Sequence, residues 1–236
     1  MAEKKQHKLV AADGGSERKM KEAKPVGSAS GLRWGAVILW ILGLAFEICA
    51  FLVLQGKINL NFMPSMYQLI GFIVLDLIAV VIGSHLWKKA NHIAPASEAN
   101  KVKFWLWNNL GLIASIVCFL PIVILLLTNK DLDKKTKTIA TVVAIIALLI
   151  GGASSIDYNP VSSEQQQAAI QALGDEVVYW APFGKVYHTH EDCGSLNQSD
   201  SLTYGTVEQA IAANRTRLCS FCARRDNITG VRTDEQ

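Results

Sequence analysis

Residues 34–56 read WGAVILWILGLAFEICAFLVLQG, and Glu47 is the only charged side chain among them. A run of ~20 apolar residues is long enough for a helix to cross the hydrocarbon layer of a bilayer. Similar blocks follow at residues 66–87, 104–128 and 138–156, and the last two contain no charged residue. A helix satisfies its own backbone polar groups, which lipid cannot do. The sequence therefore predicts a bundle of four transmembrane helices.

The composition agrees with this pattern. Of the 236 residues, 50% are hydrophobic and 18% are charged, whereas a soluble domain usually has about 25% charged residues. The charged residues are concentrated at the ends of the chain and between the four blocks. This distribution excludes a disordered chain and a disulfide-dense small protein, and it favours an α-helical membrane domain over residues 34–158.

The distribution of Lys and Arg predicts the orientation of the spans. Residues 1–33 contain eight of these basic side chains and residues 88–103 contain four, whereas residues 57–65 contain one and residues 129–137 contain four. We therefore expect the N-terminus in the cytoplasm, and an even number of spans returns the C-terminus to the same side. The fourth span taken alone would favour the opposite side for the C-terminus, because four lysines precede it and residues 157–180 contain no Lys or Arg. Residues 1–33 are also polar and rich in Gly and Ser, which predicts a disordered basic tail.

Two carboxylates lie at mid-membrane depth in the predicted bundle. Glu47 is near the middle of the first block, Asp76 is in the middle of the second, and nine residues connect the blocks. The two helices therefore form an antiparallel hairpin. An ionised carboxylate in hydrocarbon costs at least ~2.5–3.5 kcal/mol, so both acids should face the bundle interior. They could hold a proton or a cation, or they could hydrogen-bond across helices as structural groups, for example to Ser115.

The composition changes to that of a small soluble domain at residues 159–236. A capping-box pattern predicts a short helix over residues 162–173. Residues 176–180 and 185–188 have the pattern of two short strands around a turn that contains Pro and Gly. A second short helix is predicted over residues 206–214. The result is an α+β module whose core is too small to be stable without a further crosslink.

Four potential metal ligands lie in this module: His188, Cys193, Cys219 and Cys222. A Cys-x2-Cys turn lets two sulfurs bind one ion at ~2.3 Å, and the His-x4-Cys pair supplies the other two ligands. Three cysteines cannot all pair as disulfides, and a cytoplasmic location disfavours disulfides. Four N and S ligands suit a structural zinc ion with a closed tetrahedral shell. His190 is the alternative to His188 as the fourth ligand.

The sequence around these ligands resembles that of a known family. Residues 184–193 read GKVYHTHEDC, residues 205–210 read GTVEQA and residues 217–222 read RLCSFC. These segments resemble the metal-binding module of Ada-type DNA repair proteins, and related modules are appended to many bacterial proteins. The resemblance implies a zinc site in which His188 stands where the first of four family cysteines would fall.

Four arginines bracket the Cys-x2-Cys turn: Arg215, Arg217, Arg224 and Arg225. Such a cluster could contact anionic lipid headgroups or the phosphates of a nucleic acid. However, residues 159–236 hold ten acidic and six basic side chains, and a nucleic-acid binder normally has a basic surplus. The expected partners are the lipid bilayer and a protein bound to the C-terminal module, and the chain could form a homo-oligomer. A nucleic acid is not expected.

These features predict an integral protein of the bacterial plasma membrane whose zinc-stabilised, non-enzymatic C-terminal module serves interaction or sensing. The alternative is a small ion- or proton-coupled transporter or channel that uses Glu47 and Asp76. A zinc enzyme is the least favoured hypothesis, because four good ligands leave the metal no open position. The sequence also has no Ser/His/Asp array, phosphate-binding loop or dinucleotide fingerprint.

Overall fold

The computed structural model describes residues 8–11, 27–61, 63–130 and 132–235. In its first part lie β1 (Lys8–Ala11), α1 (Ala29–Leu54), α2 (Ser65–Ile93), α3 (Lys101–Asn108), α4 (Leu110–Thr128) and α5 (Lys134–Ser155). The remainder contains α6 (Ser163–Leu173), β2 (Val178–Trp180), β3 (Val186–Tyr187), β4 (Ser201–Gly205), α7 (Val207–Ala212), β5 (Arg217–Leu218) and α8 (Ser220–Arg225).

The chain divides into two compact units. The membrane unit comprises Ser30–Lys88 and Trp105–Asp157. The C-terminal unit comprises Met1–Ala29, Lys89–Phe104 and Tyr158–Gln236. Residues 158–236 thus belong to one unit, and segments that precede them in the sequence belong to it as well.

Helices α1, α2, α4 and α5 are each long and apolar enough to cross a bilayer. They confirm the four apolar helices predicted from the sequence and are consistent with an integral membrane protein. Large apolar side chains on their outer faces are exposed, among them Ile38, Leu120 and Leu149. An exposed apolar surface of this kind is stable in lipid, whose chains are as apolar as the side chains themselves.

The ends of these helices differ from the predicted ends. Helix α5 begins earlier, because the Asp133 carboxylate accepts a hydrogen bond of 2.9 Å from the Thr136 N–H and caps the helix. Helix α2 continues past Trp87 to Ile93. The third apolar block is divided at Asn109, which separates α3 from α4.

Small residues allow the helices of the membrane unit to approach closely. A Cβ on Gly43 in α1 would lie 2.6 Å from Oδ1 of Asp76 in α2. A Cβ on Gly111 in α4 would lie 2.8 Å from the Ser84 hydroxyl, which also accepts a hydrogen bond of 2.8 Å from Ser155 in α5. Small residues and hydroxyl bonds between helices are typical of membrane helix interfaces.

The C-terminal unit contains two small sheets. Strand β4 lies between β1 and β2, parallel to the first and antiparallel to the second, whereas β3 pairs in parallel with β5. The two strands predicted from the sequence are present but short, and they belong to different sheets. A bridge between Tyr179 and His188 connects them, with both hydrogen bonds at 2.8 Å.

Strand β1 lies in the leader, where the sequence predicted disorder. Its backbone pairs with β4 so that Lys8 is opposite Ser201 and Ala11 is opposite Tyr204. The structure differs from the prediction at these four residues because pairing satisfies backbone N–H and C=O groups along an otherwise open edge of β4. Residues 1–7 and 12–26, which share the predicted disorder, lie outside the described residues.

Both helices predicted in the C-terminal unit form, and each begins with a capping box. The Ser162 hydroxyl accepts a hydrogen bond of 3.1 Å from the Gln165 N–H, and the Gln165 side chain accepts one of 3.3 Å from the Ser162 N–H. Thr206 and Gln209 form the same reciprocal pair at the start of α7. Helix α7 ends slightly earlier than predicted, and Asn214 follows it in the left-handed region with φ 67°.

The segment between α2 and α3 belongs to the C-terminal unit and makes hydrogen bonds with it. Glu164, in the first turn of α6, accepts hydrogen bonds from the Ser97 hydroxyl and from the Glu98 N–H, the latter at 3.1 Å. Because these contacts join the segment to the region after α5, both must lie on the same side of a bilayer. This geometry agrees with two spans between them.

Single cysteines should report this shared side. We expect Ala99→Cys and Phe183→Cys to react with a membrane-impermeant maleimide from one side, and Asn61→Cys to react from the opposite side, because all three positions are exposed. The measurement is labelling of inside-out and right-side-out vesicles, with the parent chain as the control for native thiols. Labelling of positions 99 and 183 from opposite sides would contradict the fold of the C-terminal unit.

The contact at Glu164 should make stability depend on pH. The Ser97 hydroxyl and then the Glu98 N–H lower the pKa of Glu164 from 4.5 to about 2. A carboxylate with a lowered folded-state pKa stabilises the fold above its unfolded pKa, and the contribution is lost as pH falls through the folded pKa. Glu164→Gln should therefore lower the melting temperature near neutral pH, and its difference from the parent should shrink between about pH 4.5 and pH 2. Circular dichroism of the full chain at several pH values measures this, and a constant difference would disprove it.

Candidate metal centre

Four side chains of ligand type converge in the C-terminal unit: His188, Cys193, Cys219 and Cys222. His188 directly follows β3, Cys193 precedes a 3₁₀ turn over Gly194–Leu196, and the Cys-x2-Cys pair lies at the start of α8. The pairing of β3 with β5 brings the histidine to the cysteine pair. It includes a hydrogen bond of 2.9 Å from the Cys219 N–H to the Tyr187 carbonyl.

The distances between the ligand atoms fit one metal ion. All four atoms lie within 4.8 Å of one another. Sγ of Cys193 is 3.8 Å from Sγ of Cys219, and Nδ1 of His188 is 3.9 Å from Sγ of Cys222. Tetrahedral zinc with bonds of ~2.3 Å to sulfur and ~2.0 Å to nitrogen places neighbouring ligand atoms ~3.5–3.8 Å apart. A disulfide would bring two sulfurs to ~2.05 Å, and all three cysteines are free.

The ligand cluster is buried in the core of the unit. Its four members are between 1% and 6% exposed. Apolar side chains that are almost fully buried pack in the same core, including Tyr187, Leu196 and Leu218. Polar groups held in such surroundings need a partner, because burial without one is costly. A bound metal would supply that partner to all four ligands at once.

The environment of Cys222 favours its ionised form. The thiol of Cys219 is the main cause that lowers the pKa of Cys222, and the N–H of His190 and the side chain of Thr189 act in the same direction. The same contact raises the pKa of Cys219. Metals bind the thiolate and not the thiol, so a metal at this site would hold both Cys219 and Cys222 in the deprotonated form.

His190, the alternative ligand, lies outside the cluster. Its Nε2 is 2.6 Å from Oδ1 of Asp226, and the hydroxyl of Thr189 donates to the same carboxylate. The side chain of His190 is 33% exposed, whereas His188 is 2% exposed. The geometry therefore favours His188, the ligand preferred from the sequence.

Two of the four arginines near the site are used inside the fold. Arg215 donates to the carbonyl oxygens of Ala181, at 3.1 Å, and of Pro182. Arg217 donates to Oδ1 of the buried Asn159 at 3.0 Å. Burial also lowers the pKa of Arg215. These two side chains are partly buried, and their guanidinium groups make hydrogen bonds within the unit.

The other two arginines are exposed and form ion pairs. Arg224 lies 3.2 Å from Glu235, and Arg225 lies 3.0 Å from Asp192. Exposed pairs of this kind contribute little to stability. Of the four arginines considered as a contact for anionic groups, these two are the exposed ones, and each already pairs with a carboxylate.

The two acids of the membrane unit differ in how much of each side chain is exposed. Asp76 is 1% exposed, while Glu47 is half-buried and lines a cleft between α1 and α4. Asp76 lies within electrostatic range of Glu47. The Ser115 hydroxyl, which the sequence suggested as their partner, has no hydrogen-bond partner among the described residues.

Sequence reasoning missed two aspartates that support the ligand cluster. Oδ1 of Asp234 accepts a hydrogen bond of 2.7 Å from the N–H of Ser220, inside the Cys-x2-Cys turn. Asp226 holds Thr189 and His190, which lie between the first two ligands. Both contacts connect residues distant in sequence, so no local pattern could have indicated them.

Comparison of the chain with protein-family models, with curated proteins and with solved structures finds no match. The resemblance to Ada-type modules therefore stays a hypothesis based on the quoted segments. The geometry by itself gives a buried cluster of one histidine and three cysteines that could hold a metal ion.

Replacement of each histidine separately tests the ligand assignment. His188→Ala should lower the zinc bound per chain, because it removes one of the four converging atoms, whereas His190→Ala should leave the zinc content near one per chain. The measurement is metal analysis of the purified full chain. Cys49→Ser is the matched control, because it removes a thiol of α1 outside the cluster. Equal losses in both histidine variants would refute the assignment of His188.

Proposed function

We propose that this chain is a multi-pass membrane protein whose C-terminal unit is held together by a structural zinc ion and serves interaction or sensing, without enzymatic activity. One observation carries the proposal: four buried N and S ligands lie within 4.8 Å of one another. Four protein ligands complete a tetrahedral shell, whereas catalytic zinc keeps one position for water or substrate. This set of ligands is the kind found in structural sites.

The small size of the surrounding elements supports a structural role. Strands β3 and β5 have 2 residues each, and helices α7 and α8 have 6 each. Ordering such short elements costs backbone entropy that a small core offsets poorly. Zinc binding at comparable sites contributes roughly 10–16 kcal/mol near neutral pH. Metal binding would therefore supply much of the free energy that folds this part of the chain.

A relationship to Ada-type modules is part of the proposal, but methyl transfer is not. Founding members of that family bind zinc through four cysteines and use one zinc thiolate as a methyl acceptor. In this chain His188 takes the place of one cysteine, and the three sulfurs are at most 6% exposed. Buried thiolates in a complete shell are poorly accessible to a methyl donor, which favours a structural use of the same scaffold.

The turn between β2 and β3 supports a role in interaction. Phe183 lies in this turn and is 99% exposed. Arg215 holds the turn through the carbonyl oxygens of Ala181 and Pro182. An aromatic side chain presented on a restrained turn is typical of an anchor for a partner protein, because little entropy is lost when it is bound.

Cobalt substitution distinguishes a structural site from a catalytic one. We expect the cobalt-loaded full chain to show the absorption of a tetrahedral thiolate complex, and azide should leave the spectrum unchanged, because no position is open. Cys219→Ser is the matched control, since removal of one thiolate should weaken the complex and make its spectrum sensitive to azide. A spectrum of the parent chain that responds to azide would contradict the proposal and indicate an open, catalytic type of site.

A further inference from the structure

The membrane unit contains a cleft with one carboxylate in its wall. The cleft lies between α1 and α4, has a volume of about 260 Å³ and includes Glu47. The other lining residues are apolar: Ile48, Phe51, Pro121, Ile122 and Leu125. Ile48 and Pro121 are exposed, so the cleft opens on the outer face of the two helices. An apolar cleft with one ionisable group selects a ligand that is apolar and carries the complementary charge.

A second carboxyl group, that of Asp76, lies close to this cleft. Asp76 is 1% exposed, and its Oδ1 has no hydrogen-bond partner among the described residues. This atom faces Gly43, where a Cβ would lie 2.6 Å away. The carboxyl group also lies beside the Cys118 thiol and within electrostatic range of Glu47.

The neighbours of Asp76 fix its position relative to the cleft. Gly43 precedes Glu47 by one helical turn on α1, and Cys118 precedes Ile122 by one turn on α4. Residues one turn apart lie on the same face of a helix. Asp76 therefore lies about one turn, or ~5.4 Å along the axis, from Glu47, and it is not among the residues that line the cleft.

The helices around the two acids supply no positive charge at this depth. Neither α4 nor the part of α1 from residue 34 onward contains Lys or Arg, and α2 contains none before Lys88. A carboxylate in hydrocarbon is costly, and a bound cation reduces that cost. An ionised Glu47 would therefore take its compensating charge from outside the three helices.

We propose that the cleft between α1 and α4 binds a hydrophobic organic cation, with its charged group beside Glu47 and its apolar part against Phe51 and Leu125, while Asp76 is a second carboxyl group about one helical turn from Glu47. The ligand enters from the lipid, because the exposed rim of the cleft lies on an apolar outer surface. This site is in the membrane unit, and it does not depend on zinc in the C-terminal unit.

Binding of phenyltrimethylammonium to the full chain in nanodiscs of uncharged lipid tests the proposal. We expect saturable binding of this cation and much weaker binding of tert-butylbenzene, which has the same shape without the charge. Glu47→Gln should weaken binding of the cation at least about tenfold, as expected for loss of a charge-assisted contact. Asp133→Asn is the matched control: it removes a carboxylate outside the cleft, an amide can still cap α5, and affinity should not change.

A second variant keeps the test decisive if Glu47→Gln fails to fold. Leu125→Phe narrows the cleft without changing any charge, and it should also weaken binding of the cation. Three results would overturn the proposal. The first is unchanged affinity in Glu47→Gln, and the second is equal uptake of tert-butylbenzene, which would mean that the cleft holds a lipid chain. The third is a dimeric chain that binds neither probe, which would place a second copy in the cleft.

Discussion

The convergence of one imidazole and three sulfurs within 4.8 Å is the constraint on which the rest of the C-terminal unit depends. The ligands come from the end of β3, the start of a 3₁₀ turn and the start of α8, so their convergence fixes these three elements relative to one another. The two-residue pairing of β3 with β5 brings ligands from distant parts of the chain together. Such a short pairing has little stability of its own. A metal ion bound at the ligands and the strand pairing would therefore stabilise each other.

The membrane unit was predictable from composition, because an apolar run of sufficient length has few alternatives to a spanning helix. The ends of its helices were not predictable in the same way. The start of α5 depends on the Asp133 cap, and the end of α2 depends on a polar segment that hydropathy excludes from a span. The ligand cluster was also predictable, since the residue types and the Cys-x2-Cys spacing suffice to suggest a metal. His188 was preferred over His190 from the sequence alone, and the structure adds the physical reason, since Asp226 engages His190 outside the cluster.

The remaining differences concern contacts between distant segments. Strand β4 was missed, although Leu202 and Tyr204 alternate with the less buried Ser201 and Thr203 in the period of a half-buried strand. The pairing of β1 with β4 and the contact of Ser97 with Glu164 join residues that are far apart in sequence. Local propensity and periodicity carry no information about such pairs. For the same reason the predicted module of residues 159–236 lacked the segment between α2 and α3.

The buried polar groups of the two units differ in whether one bound ion could satisfy them all. In the C-terminal unit the potential ligands face one another, so a single ion could satisfy all of them. In the membrane unit, Oδ1 of Asp76 and the Ser115 hydroxyl find no hydrogen-bond partner within the part of the chain that the structure describes. An unpaired hydroxyl costs little compared with an unpaired carboxylate, because the penalty for burial rises steeply with charge. Packing alone does not explain the carboxylate, since an apolar side chain beside Gly43 would fill the space without that penalty. An aspartate beside Gly43 and about one turn from Glu47 therefore costs the membrane unit stability unless its second oxygen gains a partner. This cost is the physical ground for the proposal that the neighbouring cleft binds a cation.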